Sequence, residues 1–423
     1  MTIEGEADEA VRRSNRRVVT RAVVALGFNQ IICWGSTLYA LGVLGQSIAA
    51  STGWGVAVVY GGLTTGLLTG AVFSRSCGRM IDEHGGRLVM SVGAVVAALG
   101  LAGVALSQSI ASYLAAWVVV GIAMRMTLYD AAFAAIVQVT PSRGRVAISY
   151  LTLFGGLASS VFWPIGHALD LAYGWRATLL IFAAINLLVS LPLAWFGLAA
   201  REERAASDSA SKQSDTNAEQ SFLVGPARLM AMIMFSVVMS ASAFIYGAMA
   251  AHLPAVVESA GVSAAVAVSL SSVKGVVQTL SRAVDLVFGR HLHPIVLGRI
   301  TISFLPLSFA VCLWAGSGLM TAIAFAVLFG VANGLTTIVR GAVPLVLFGA
   351  KGYGEVLGIL ATPYLVLNAV APLVMAMMMA AWGMTAATYV MLTAGALAAV
   401  AMEVMAAWFR RVEARRVGAK GQS

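Results

Sequence analysis

The sequence predicts an all-α membrane protein of twelve transmembrane helices arranged as two pseudo-symmetric six-helix bundles. Three observations carry that expectation. The chain is too apolar to be covered by water, its apolar residues fall in twelve stretches of spanning length, and its second half repeats spacings of its first. Of 423 residues, 60% are hydrophobic and only 11% charged, with a mean hydropathy of +0.88. A soluble domain carries roughly 25% charged residues to face solvent, so most of this surface must face lipid. The 43 glycines fit the same picture, because small residues let membrane helices approach closely. Cys33, Cys77 and Cys312 imply no disulfide framework.

Crossing a bilayer takes roughly 20 apolar residues in a helix. The first-half stretches cover 20–44, 54–74, 88–107, 112–139, 147–169 and 175–198. Those of the second half cover 227–252, 263–288, 295–315, 319–347, 355–380 and 384–408. The expected organisation is therefore a tail at 1–19, a bundle at 20–198, a second bundle at 227–409 and a tail at 410–423. Residues 199–226 between the bundles are Ser-, Asp-, Glu-, Lys- and Gln-rich, which reads as an aqueous linker. Glu4 to Arg21 lacks the short apolar core and cleavage site of a signal peptide, so the first span is expected to remain in the mature protein.

Lys and Arg orient these spans. With both termini cytoplasmic, all but five of the 27 fall on the inner side; Arg176 is outside, and Arg125, Lys274, Arg282 and Arg340 lie within spans. That bias is the positive-inside pattern. It also disposes of a nucleic-acid partner as the reason for the net charge of +9.

The halves repeat at an offset of 207, which superposes Phe28 on Phe235, Tyr39 on Tyr246, and Ser74-Arg75 on Ser281-Arg282. Gly121 to Gly174 and Gly330 to Gly383 are both 53 residues apart. Parallel six-helix repeats are a known way of building transporters.

The loop after the second span reads Gly78-Arg79-Met-Ile-Asp82-Glu-His-Gly85-Gly86-Arg87. It resembles the signature loop of the major facilitator superfamily, departing from it at Glu83 and by displacing the later Arg one position. The Gly-Gly-Arg form, with Leu128-Tyr129-Asp130, Gly174-Trp175-Arg176 and Arg340-Gly341 plus Pro344, is similar to bacterial relatives of the monocarboxylate porter family. The resemblance implies the major facilitator fold, the bacterial inner membrane, alternating access, proton symport as a driving force, and a role as monomer without cofactor. It also implies that Gly78, Arg79, Asp82, Gly85, Gly86 and Arg87 gate the cytoplasmic side, with Asp82 facing a helix N-terminus of the other half. A plain topogenic basic loop is the structural alternative. The fourth span lacks the Arg that precedes Gln-Gly in many proton-driven antiporters.

Charges inside spans each cost several kcal/mol unless they face a cavity or a partner. Arg125 and Lys274 lie near the midplane, whereas Asp130, Arg282, Asp285 and Arg340 fall in the cytoplasmic third, placed to close a gate. Lys274, Gln278, Arg282 and Asp285 share one face within about 80°, a polar stripe expected to line the central cavity, with Gln278 joining Lys274 and Arg125 as a substrate-binding candidate. At 100° per residue Asp130 points roughly 140° away from Arg125, so its expected partners are Arg79, Arg87 or Arg145. Arg282 and Asp285 read equally as a structural pair, mutual or through Arg340, or as transport residues. Two midplane cations without carboxylates at that depth favour an anionic substrate, since a carboxylate between them forms charge-assisted bonds. Tyr129, Tyr39, Tyr246, Asn333, Asn29, Gln30 and Asn368 could complete the expected pocket, although each polar residue of this kind is more often a helix-packing hydrogen bonder than a ligand. His84, His167 and His252 are weak proton-coupling candidates beside Asp130 and Asp285.

No metalloprotease, phosphate-loop, redox or nucleophile-elbow motif is present, so an enzyme is not expected. The expected function is transport of a small organic anion, a monocarboxylate first among them. The alternative on the same fold is efflux of amphipathic drugs or metabolites, suggested by 19 methionines.

Overall fold

The computed structural model describes residues 3–200, 223 and 225–420. Most of the expected linker and the chain's extreme ends lie outside the described residues. Ten helical runs among those described are long and apolar enough to cross a membrane. These are α1 (Arg13–Thr52), α2 (Val56–His84), α3 (Gly86–Leu106), α4 (Ile110–Val139), the run Gly144–Gly197, α7 (Gly225–Glu258), α8 (Ala264–Phe288), α9 (Pro294–Trp314), α10 (Leu319–Phe348) and the run from Tyr353.

Two of these runs are too long to be single spans. The run Tyr353–Lys420 has 68 residues, about 100 Å at 1.5 Å per residue, against a hydrocarbon core of about 30 Å. It breaks at Gly383 (φ 81°, ψ 169°), and Gly144–Gly197 breaks at Gly174 (φ 79°, ψ 165°). Only glycine adopts that backbone without strain. The breaks yield α5 (144–173), α6 (175–197), α11 (353–382) and α12 (384–420), so the described residues hold twelve helices of spanning length. They also explain the repeated glycine spacing in the sequence.

The chain forms two compact units: Met1–Phe222 with Pro344–Thr362, and Leu223–Val343 with Pro363–Ser423. Apolar side chains cover much of the surface of both, including Val72 and Phe288, each 76% exposed. Lipid, not water, accommodates such a surface.

The first unit has two cores. One packs Tyr113, Trp117 and Val120 of α4 against α1, α2 and α3; the other packs Tyr129, Phe133 and Ile136 against α1, α5 and the start of α11. Between them α4 breaks at Leu128, which is extended (φ −79°, ψ −171°). A break frees helical carbonyls that must find donors inside a membrane. Gln30 Nε2 donates to the Thr127 carbonyl at 2.7 Å.

Two π-turns, Trp34–Leu38 in α1 and Asn186–Ser190 in α6, lie within one buried polar network. Asn186 Nδ2 donates to Ser36 Oγ at 2.9 Å, and Asn29 Nδ2 to Ser190 Oγ at 2.8 Å. Widened turns leave groups for neighbouring side chains to satisfy.

Glycine sets the distance between α2 and α4. A Cβ at Gly121 would collide with the Gly66 backbone, its carbonyl included. Backbone cannot move aside as a flexible side chain can. Gly121→Val is expected to cost more than the about 1–3 kcal/mol of ordinary overpacking, seen as a lower melting temperature and less monodisperse protein in detergent. An unchanged melting temperature would contradict this packing.

Candidate functional site

The turn between α2 and α3 is built on its two glycines. Gly85 takes φ 85°, and Gly86 lies so close to Ala135 of α4 that no side chain fits. The Gly86 N–H donates to Gln138 Oε1 at 2.9 Å, and Gln138 Nε2 donates to the Ile81 carbonyl at 2.8 Å. The Arg87 guanidinium sits 4.0 Å from the Trp195 ring centroid on α6.

Within the same unit this turn holds the start of α11. Asp82 accepts from the Gly354 N–H at 2.9 Å and the Glu355 N–H at 2.7 Å. Those are donors a helix N-terminus leaves unsatisfied, and its dipole favours the carboxylate. Arg75 Nε and Arg79 Nη2 each donate to Glu355 Oε1 at 2.9 Å. Gly78 packs directly on the Gly354 backbone, where a Cβ would clash. Glu355 escaped sequence reasoning, although an acid in the first turn of a helix was a visible signal.

Arg125 and Asp130 correct the sequence expectation. Arg125 Nη2 donates to Asp130 Oδ2 at 2.6 Å, and both side chains are buried, 8% and 5% exposed. A direction of roughly 140° away from Arg125 holds for Asp130 only on an unbroken helix. The extended Leu128 resets the rotation, so residues five apart meet. Arg125 is therefore already neutralised by a carboxylate, and the pair lies where the two cores of the first unit join.

In the second unit α8 is continuous, so its spacing rule holds. The polar stripe faces α10, while Val273, Val276, Leu280, Val284 and Val287 are exposed. Buried Arg282 donates through Nε to the Gly334 carbonyl at 3.1 Å and through Nη2 to Thr337 Oγ1 at 3.0 Å. Half-buried Lys274 has its ammonium 5.6 Å from the Phe329 ring centroid. Among the described residues no carboxylate pairs with Lys274. Gly330 and Gly334 bring α10 against the α8 backbone at Lys274 and Gln278, a small-residue pair four apart.

A model of the Major Facilitator Superfamily matches residues 26–297, more than half of the chain. The chain belongs to the Major Facilitator Superfamily. Solved superfamily structures share its fold. The human organic anion transporter MFSD10 aligns with TM-score 0.67 and 18% identity over 92% of this chain and 99% of its own. The proton:xylose symporter XylE gives 0.70 and 12% over 92% and 96%. FucP in the outward conformation gives 0.67 and 13% over 90% and 98%. No curated protein sequence matches the chain.

For this superfamily member the remaining candidates divide cleanly. Asn29 and Gln30 are fully buried and bonded to neighbouring helices, so they brace α1. Asn368 Nδ2 donates to the Ala243 carbonyl at 3.0 Å, bracing α7 and α11. Tyr246 shares a 2.8 Å hydrogen bond with Thr336 Oγ1 and lies 5.7 Å from Phe329, beside the Lys274 environment. Asn333 is half-buried on α10, its carbonyl accepting from Thr337 Oγ1 at 3.4 Å. Tyr129 is buried, stacks on Phe133 and donates to the Thr152 carbonyl at 3.2 Å. Tyr39 sits 6.0 Å from Trp34, whose indole N–H donates to Gln30 Oε1 at 3.1 Å. Asp285 is buried on α8 and half-buried Arg340 lies 5.2 Å from the Tyr364 ring. Phe329 and Trp34 were missed, because a lone aromatic in an apolar span carries no sequence signal of its own.

Proposed function

We propose that this superfamily member is a secondary transporter of a small organic anion, a monocarboxylate first, working by alternating access in the bacterial inner membrane with both termini cytoplasmic. The single observation that carries the reading is Lys274. It is a half-buried cation in a spanning helix, beside the aromatic face of Phe329, with no carboxylate paired to it among the described residues. Such a charge repels a cationic substrate, and its desolvation is repaid when an anion binds. Gln278 one turn along α8, Tyr246 at 5.7 Å from Phe329, and Asn333 one turn beyond Phe329 on α10 complete the proposed site. Arg125 is assigned away from direct substrate binding, because Asp130 holds it.

The Arg125–Asp130 pair suits proton coupling instead: protonating Asp130 discharges the bond and frees the guanidinium. Asp82, Arg75, Arg79 and Glu355 serve as the cytoplasmic latch, which opening must break. Structures with this fold include an organic anion transporter and proton symporters by their own descriptions, so both features are within the reach of the architecture.

The test is uptake of labelled lactate, pyruvate and oxalate into proteoliposomes of the purified chain, with and without an acid-outside pH gradient. The proposal expects at least one acid to accumulate and the gradient to increase its uptake. Rates equal to protein-free liposomes for all acids would refute it.

A further inference from the structure

We propose that α9 and α12 form a binding site for a phospholipid whose headgroup carries both a phosphate and a primary ammonium. The two helices of the second unit border an open groove of about 400 Å³. Val296, Ile300, Phe304 and Leu307 line it, with Arg299 and Glu403 as its charged members. Ile300 and Leu307 are 45% and 47% exposed, and Val400 and Val404 of α12 are exposed too. On spanning helices such a face is covered by acyl chains.

An ion pair is out of place there unless something polar meets it. Arg299 Nε donates to both Glu403 carboxylate oxygens at 2.8 Å, and the side chains remain 35% and 46% exposed. A guanidinium has five N–H donors. This contact uses the one on Nε, and the Nη groups bond nothing else among the described residues. The carboxylate likewise keeps accepting capacity on its exposed side. The groove therefore presents phosphate donors and ammonium acceptors next to each other.

Depth agrees with a headgroup. Arg299 is five residues into α9, about 7 Å from its end, and Glu403 precedes Arg410 and Arg411 by about 10 Å of helix. On helices of spanning length, a position so near the end falls at the border between hydrocarbon and headgroups, where long basic side chains reach for phosphate.

The charge pattern selects among lipids. Phosphatidylcholine offers a phosphate, but its quaternary ammonium donates no hydrogen bond to Glu403. Phosphatidylglycerol brings a net negative charge against Glu403 and no cation. Phosphatidylethanolamine satisfies both partners. The matching helices of the first unit, α3 and α6, place Arg87 over Trp195, so the guanidinium covers the ring where the second unit has a carboxylate. The recognition is thus particular to the second unit.

The experiment titrates purified full-length protein in detergent with acyl-matched phosphatidylethanolamine, its mono- and dimethyl derivatives, phosphatidylcholine and phosphatidylglycerol, counting bound lipid by native mass spectrometry. An exposed ion pair is worth up to about 1 kcal/mol, roughly fivefold in affinity. The wild type is expected to bind phosphatidylethanolamine about three- to fivefold more tightly than phosphatidylcholine, the preference falling stepwise with methylation. Glu403→Gln, which still accepts from Arg299, should abolish the preference. Arg299→Gln should weaken binding of all the lipids, and Arg87→Gln, outside the groove, should leave the preference for phosphatidylethanolamine unchanged. A wild type without preference, one that favours phosphatidylglycerol, or a Glu403→Gln variant that keeps the preference overturns the proposal.

Discussion

Replacing Lys274 by Gln is expected to raise the KM for anion uptake by about 10- to 100-fold, because a charge-assisted hydrogen bond contributes about 1.5–3 kcal/mol. The size follows from the surroundings. Phe329 covers one side of the ammonium, and no paired carboxylate supplements it among the described residues. An anion gains the whole interaction, and nothing in the variant replaces it. Lys274→Arg keeps the charge and should retain most of the affinity, which separates charge from shape. Since α8 is continuous and Lys274 is half-buried, the Gln variant should fold normally. Uptake with unchanged KM in Lys274→Gln would remove Lys274 from the binding site.

The second large effect concerns the buried pair in α4. Breaking such a pair by removing one partner costs about 3–5 kcal/mol, because the remaining charge is buried without compensation. Arg125→Met and Asp130→Leu should each lower the melting temperature in detergent clearly. The double variant should recover most of that loss, since replacing both charges by apolar groups of similar size is often nearly neutral. If the pair also couples protons, the stable double variant should lose stimulation of uptake by a pH gradient. Additive losses in the double variant would show that the two side chains act independently, against the 2.6 Å contact.

Much of the fold was legible because hydropathy and charge bias are sums over many residues, and single errors average out. Gly174 and Gly383 were legible as a repeated spacing, and the structure supplies the reason: each is a turn between two spans that only glycine can make. The break at Leu128 left no such mark. No glycine or proline stands there, and what satisfies the freed carbonyl is Gln30, 97 residues away. A periodicity argument across 125–130 was bound to misplace Asp130. On unbroken α8 the same argument placed Lys274, Gln278, Arg282 and Asp285 on one side.

The loop at Gly78–Arg87 was readable as a motif, but its partner was not. Glu355 is distant in sequence and reaches Arg75 and Arg79 only through the packing of α11 on α2 within the first unit. Asn29 and Gln30 take the bracing alternative that polar residues in spans carry. Polar side chains in a span announce a hydrogen bond, not its purpose, and here the purpose is to hold broken and widened turns together.

On the proposed function, the negative charge of the substrate is what the carrier recognises. Competition in wild-type proteoliposomes reads this charge: uptake of the labelled acid is challenged with the unlabelled acid or with its primary amide, an uncharged molecule of almost the same shape. The acid is expected to compete, and the amide, at tenfold higher concentration, is not. Equal competition by the amide would contradict charge recognition.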